Sequence, residues 1–216
     1  MIDPGMGAAP SRAPLATRAD IKRIAYLGPE GSFTHEALLG LPCARWAELS
    51  PKATVTDALD SVRYREADAA MVPMENSVAG PVAETVLCLR QGPPWLDVTC
   101  EVAMAITFSL LARQDLSMSD IRTVAGHPHA LPQTRQWLKK HLPQADWCST
   151  SSNSEAARRV AQGEFDAALA GVSAAQRWKL RSLAEGISDA DEAVTRFILA
   201  AAVRGSGECS GESSAA

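Results

Sequence analysis

The chain has 216 residues, with 21 Lys plus Arg against 25 Asp plus Glu, a formal net charge of -4, and 46% hydrophobic residues. That apolar content supports a real core and excludes wholesale disorder, while the slightly acidic balance argues against a dedicated nucleic-acid binder. No apolar run approaches the ~20 residues of a membrane span, and the first residues lack the basic-then-apolar order of a secretory signal.

Residues 1–20 are rich in Ala, Pro, Gly and Ser and read as a flexible leader; residues 204–216 read as a flexible tail. Between them runs a strand-then-helix rhythm. Ile21 to Leu27 reads as a short strand, Gly28-Pro29-Glu30-Gly31 as a turn, and Ser32 onward as a helix. Val55 to Arg65 is a second helix, with Ala58, Leu59 and Val62 on one face. Ala69 to Val72 is a buried strand that Pro73 is expected to end, and Ala83 to Leu89 is helical. Val98 to Leu111 reads as one β-rich segment, and Thr123-Val124-Ala125 as a strand. Gly126 to Gln133 is a loop into a helix ending at His141. Ser154 is the expected N-cap of a helix from Glu155 to Gln162, with Gly163 closing it. Ala167 to Ala170 and Val194 to Val203 complete the strands. The cysteines, Cys43, Cys88, Cys100, Cys148 and Cys209, are odd in number and show no CxxC spacing. Neither a disulfide framework nor a zinc site is indicated, and a reducing cytoplasm is the expected setting.

One echo bears on organisation. Helix, turn and buried strand run from Val55 to Val72 and again from Glu155 to Ala170, and both strands open on Asp-Ala-Ala (Asp68 and Asp166). The match is either chance in an Ala-rich chain or the trace of two similar α/β lobes with a ligand cleft between them. The expected division is lobe 1 at 21–97 plus 187–203 and lobe 2 at 98–186.

Four polar clusters follow strands or edge them. Gly28 to His35 opens a helix, where N–H groups attract anions and Ser32 and Thr34 add hydroxyls; it is either an anion site or a plain capped turn. It matches neither a Walker loop nor a dinucleotide fingerprint. In Val72-Pro73-Met74-Glu75-Asn76-Ser77, Glu75 can serve as acid, base or acceptor, while Asn76 and Ser77 can donate or cap a helix. His127-Pro128-His129 to Gln133 has two histidines without a third metal ligand at fixed spacing, so a structural role is expected for both. In Thr195-Arg196-Phe197, an Arg on an apolar strand is either salt-bridged or gripping an anionic ligand.

Together these clusters resemble the prephenate dehydratase family, whose pattern runs Gly-Pro-x-Gly-Thr-Phe, Val-Pro-Ile-Glu-Asn-Ser, His-Pro-x-x-x-x-Gln and Thr-Arg-Phe. All four occur here in that order, across about residues 21 to 203. Ser32, Met74, Thr134 and Ala193 depart from the usual Thr, Ile, Cys and Asn.

The resemblance implies a two-lobed α/β fold similar to type II periplasmic binding proteins, with the active site in the interlobe cleft. It implies a lyase of phenylalanine biosynthesis that takes prephenate, a small-molecule substrate, to phenylpyruvate. It further implies no cofactor or metal, no nucleic-acid or membrane partner, and a cytoplasmic dimer or tetramer. Thr195, Glu75, Asn76 and Gln133 are the expected catalytic residues; Arg196, Ser77, Gly31, Ser32 and Phe197 are the expected substrate-binding ones. Family members usually carry an ACT regulatory domain; this chain ends too soon to hold one, so absence of control by phenylalanine is expected. Rival readings are an arogenate dehydratase, a non-aromatising prephenate decarboxylase, and a non-catalytic small-anion-binding protein.

Overall fold

The computed structural model describes residues 21–91, 96–189 and 193–202; the expected leader and tail lie outside the described residues. In chain order the elements begin with β1 (Arg23–Leu27), α1 (Phe33–Leu39), β2 (Glu48–Lys52), α2 (Val55–Arg63), β3 (Ala69–Asn76) and β4 (Gly80–Pro81). Next come α3 (Ala83–Arg90), β5 (Leu96–Ile106), β6 (Phe108–Ala112), β7 (Thr123–Gly126), α4 (Leu131–His141) and β8 (Asp146–Ser149). The last are α5 (Asn153–Ala161), β9 (Ala167–Ala170), α6 (Val172–Trp178), β10 (Arg181–Ile187) and β11 (Ala193–Ala202).

The strands form two sheets. The first has the order β2-β1-β3-β11-β5, with β4 on β3; the second has the order β10-β6-β9-β7-β8. Each is built alike. A first strand (β1 or β7) lies between a second and a third, all parallel. An antiparallel strand (β11 or β6) then pairs with the third, and another (β5 or β10) pairs with that. The Asp-Ala-Ala echo is part of this plan. Asp68 Oδ2 accepts the N–H groups of Lys22 and Arg23 at 2.9 Å, and Asp166 Oδ2 accepts those of Arg122 and Thr123 at 2.9 Å. In both sheets an Asp just before the third strand satisfies two amides leading into the first.

Three details differ from the sequence reading. The segment Val98 to Leu111 is two strands, not one, and they belong to different sheets: β5 pairs with β11 and β6 with β9 and β10. The boundary expected at 97/98 therefore falls inside β5, and the pairing puts the crossing at Thr107; the chain returns after β10, which ends at Ile187. Pro73 does not end its strand, because the register skips Met74 between Glu75 and Pro73, and a bulge tolerates a residue with no N–H to donate. Ser152, not Ser154, caps α5, its hydroxyl accepting from Glu155 N–H at 3.0 Å. Ser154 instead donates its hydroxyl to the Glu30 carbonyl. Sequence periodicity misses β2 and β8, which are sheet edges with polar, Pro-containing or short sequences. It also misses α6 and β10.

One buried cluster spans both sheets, joining Ile24, Tyr26, Met71 and Leu199 of the first to Leu110, Val124 and Leu169 of the second. Among the described residues no helix is long and apolar enough to cross a membrane.

Burial raises the carboxyl pKa of Asp166, but the Arg122 amide and the hydroxyl and amide of Thr123 outweigh it and hold the group below the ordinary 3.8. Asp166→Ala strands two amides and is expected to cost about 1–3 kcal/mol, read as a lower urea midpoint at pH 7. The stabilisation is complete above the unfolded-state pKa and is lost as pH falls through the depressed folded-state value. The gap between wild type and variant should therefore close at strongly acidic pH; a gap that persists there argues against the carboxylate as its source.

Candidate active site

Between the two sheets lies a cleft of about 990 Å3. Its walls are the C-terminal ends of parallel strands, with Leu27, Lys52 and Asn76 on one side and residues following β7, β8 and β9 on the other. In α/β sheets this is where ligands bind. The starts of α1, α3, α4 and α5 open onto it through Thr34, Ala83, Gln133 and Asn153, and so does Gly171, the N-cap of α6. The first N–H groups of a helix have no intrahelical acceptor, and the dipole makes that end positive. The cleft therefore suits an anion. Its apolar lining includes Val82, Ile106, Phe108 and Phe197.

Thr195 and Asn76 face each other across the β3–β11 pair. Asn76 Nδ2 donates to Thr195 Oγ1 at 2.8 Å. Asn76 Oδ1 accepts the N–H groups of Val78 at 3.0 Å and Ala79 at 2.9 Å. Those two amides fix which end of the Asn side chain is oxygen. The Thr195 hydroxyl is then an acceptor toward Asn76, and its own proton is free to point into the cleft. Thr195 is 7% exposed, so a ligand's acceptor there meets little competing water.

Of the residues expected at the site, Gly31, Ser32, Asn76, Gln133, Thr195 and Phe197 line the cleft. Glu75, Ser77 and Arg196 do not. Successive strand residues alternate faces, so Arg196 points away between Thr195 and Phe197. The bulge at Met74 keeps both Met74 and Glu75 on that far side, where they border a second, smaller groove with Arg196. There Arg196 is bridged to Glu75 at 2.8 Å and to Glu101 at 3.4 Å. Ser77 ties the strand end instead, its hydroxyl accepting the Val194 N–H at 3.0 Å.

Other polar groups are engaged as follows. Gln133 Nε2 donates to the His129 carbonyl at 2.8 Å. Ser32 Oγ accepts the His35 N–H and donates to the Leu27 carbonyl, both at 3.3 Å. Among the described residues no arginine lines the cleft, and the Lys52 ammonium lies 3.7 Å from the Glu66 carboxylate. Glu155 also lines it; the hydrogen bond from Arg158 holds its carboxyl below the usual range.

The sequence reading underrated two stretches. His127 and His129 both line the cleft, edge to face with ring centroids 4.7 Å apart. Burial first, then the neighbouring His129, lowers the His127 pKa below 6.5 and so favours its neutral form at pH 7. The start of α5 contributes Ser151 to Glu155, and Asn153 Oδ1 accepts the His127 N–H at 2.8 Å. The run Ser149-Thr150-Ser151-Ser152-Asn153-Ser154, directly after an edge strand, was the available signal. Thr134 is fully buried and bonds the Ala130 carbonyl, away from the cleft. Among the described residues no group of three or more His, Cys, Asp or Glu is arranged to hold a metal.

The prephenate dehydratase family pattern matches residues 24–203. A prephenate dehydratase of Mycobacterium marinum is 43% identical over 185 residues, spanning 82% of this chain and 58% of its own length. One from Amycolatopsis methanolica is 45% identical over 179 residues, spanning 83% and 58%. The crystal structure of prephenate dehydratase from Arthrobacter aurescens, in complex with L-Phe, is similar with a TM-score of 0.79 and 40% identity, covering 88% of this chain and 63% of that one. The chain thus spans about 58% of the length of these two curated relatives.

Proposed function

The chain belongs to the prephenate dehydratase family, and from that premise we propose that its cleft binds prephenate and converts it to phenylpyruvate. In that reaction the bond from the ring to its carboxylate breaks and carbon dioxide leaves. The released electron pair enters the ring, the C4–OH bond breaks, and hydroxide leaves with a proton as water. Aromatisation drives the change, so the protein has two tasks: to hold a dianion in orientation and to ease the oxygen away.

The observation that carries this reading is the Asn76–Thr195 hydrogen bond, 2.8 Å long at the cleft wall. It leaves the Thr195 proton aimed at a ligand, where a donor stabilises charge developing on a departing oxygen. A neutral hydroxyl is a poor acid, so Thr195 acts by hydrogen bonding, with the proton coming from solvent. The helix starts hold the two carboxylates. The apolar lining of Phe108 and Phe197 takes the ring, and Gln133 orients the side chain. Glu75 has no part in the proton transfer, because it lies with Arg196 on the other face of the sheet. The reading brings with it a small-molecule partner, a cytoplasmic setting and a dimer or tetramer, which sedimentation of the purified protein checks.

Purified protein incubated with prephenate should yield phenylpyruvate, read by its absorbance in alkali. Arogenate in a parallel arm tests the amino-acid substrate, and tight binding of prephenate without turnover would leave only a binding protein. Thr195→Ala is expected to lower kcat by on the order of 10²–10³ with little change in KM, because the donor acts in the transition state. Asn76→Asp should lower kcat likewise, since a carboxylate would accept the Thr195 O–H as a hydrogen bond, and should also raise KM, because it sets a negative charge against the dianion. Normal kcat in both variants removes this pair from the chemistry. Arg196→Lys, by contrast, should keep KM within about twofold and lower stability by less than about 1 kcal/mol, as expected of an exposed ion pair. A large rise in KM would return Arg196 to substrate binding.

A further inference from the structure

The turn Gly28 to Ser32 forms one wall of the cleft and is held on two sides. From the second sheet's side, Ser154 donates to the Glu30 carbonyl and Arg177 bridges the Glu30 carboxylate at 2.7 Å, while the Ser173 hydroxyl donates to the Glu36 carboxylate of α1 at 2.9 Å and lies 3.3 Å from the Gly31 carbonyl. From its own side it is held by His35. Ser32 is the N-cap of α1, and its hydroxyl accepts the His35 N–H. In a capping box the residue at that third helical position reaches back to the amide of the cap. Here His35 reaches back one residue further: the Gly31 N–H donates to His35 Nδ1 at 3.1 Å. The Ser32 amide is already engaged by the Pro29 carbonyl at 3.1 Å.

Gly31 needs this support. Its φ is +79°, a left-handed conformation open to glycine, and a Cβ there would lie 3.0 Å from Ser154 Oγ and 3.2 Å from Ala174 Cα. The turn therefore meets the second sheet's helices with no slack. The imidazole is fixed in turn by stacking on Tyr26, with centroids 5.0 Å apart and planes 15° off parallel; Tyr26 is itself fully buried.

We propose that neutral His35 is a positioning residue that sets the Gly28–Ser32 wall for the anionic substrate, and that its protonation releases that wall. An imidazolium has no lone pair at Nδ1, so two N–H groups would confront each other where one bond now holds the turn. The charged and titratable groups facing His35 are Glu30 from the turn, Arg177 from α6 and Tyr26 from β1. Burial lowers the His35 pKa below 6.5; Glu30 opposes the change and Arg177 adds to it. The bond is thus fully present above the unfolded-state pKa and is lost as pH falls through the lower folded-state value.

The kinetic arm rests on the prephenate reading above; the melting arm does not. Three proteins are compared from pH 7.5 to 5: wild type, His35→Gln and His35→Phe. Gln can supply an acceptor that does not titrate, and Phe keeps the ring but has no acceptor. With prephenate, His35→Phe should raise KM about 3- to 10-fold at pH 7.5 with kcat nearly unchanged, as loss of one hydrogen bond from a binding wall predicts. His35→Gln should restore KM and remove the part of the acid limb of kcat/KM that belongs to His35. Without ligand, the melting temperature of His35→Gln minus that of wild type should rise by about 2–4 °C as pH falls to 5. A flat difference together with an acid limb unchanged in His35→Gln overturns the proposal. If prephenate is not turned over at all, the prephenate reading fails, and the melting difference alone decides the role of His35: a rise supports it and a flat line overturns it.

Discussion

The cleft depends on one strand pairing. β11 returns from the second sheet and lies antiparallel to β3, with Thr195 opposite Asn76. Residues directly opposite in an antiparallel pair share a face. That register brings a hydroxyl and an amide separated by 119 positions within hydrogen-bond distance. The turn after β3 then orients the amide by donating two backbone N–H groups to its oxygen. Shifting β11 by one residue against β3 would turn Arg196 inward and Thr195 outward.

The same alternation explains why no arginine lines the cleft among the described residues. Arg196 is committed to two carboxylates on the far face. Helix starts line the cleft instead, because helices following parallel strands begin where those strands end. Each βα unit thus delivers a strand C-terminus and a helix N-terminus to the same place. Two such layers facing each other bring several helix starts to one cleft. Backbone dipoles are fixed by the fold and need no long side chain to be ordered.

The doubled architecture accounts for the cleft's position. Each half has the same strand order and the same Asp clasp, Asp68 in one and Asp166 in the other. The chain crosses between them twice, at Thr107 and between β10 and β11. Those crossings run from β5 to β6 and from β10 to β11, the two antiparallel strands of each sheet. A shared buried cluster lies across the sheets, so packing as well as connectivity fixes their separation.

The sequence alone determined the local elements and the motif residues that line much of the cleft. Hydrophobic runs bounded by Gly, Pro and Ser marked β1, β3, β7 and β9, and helical periodicity marked α2 and α5, because both signals arise within one turn or one strand of neighbouring residues. The motifs also named Asn76, Gln133 and Thr195. Tertiary structure decided what depends on distant partners. It split Val98 to Leu111 between two sheets, since a strand's sheet is set by its neighbours and not by its own pattern. It turned Glu75 away from the cleft, to the side of Arg196, since a bulge at Met74 resets which residues of β3 share a face. It brought the Ser151–Glu155 run and both histidines to the cleft, since the facing of two halves leaves no trace in the spacing within either.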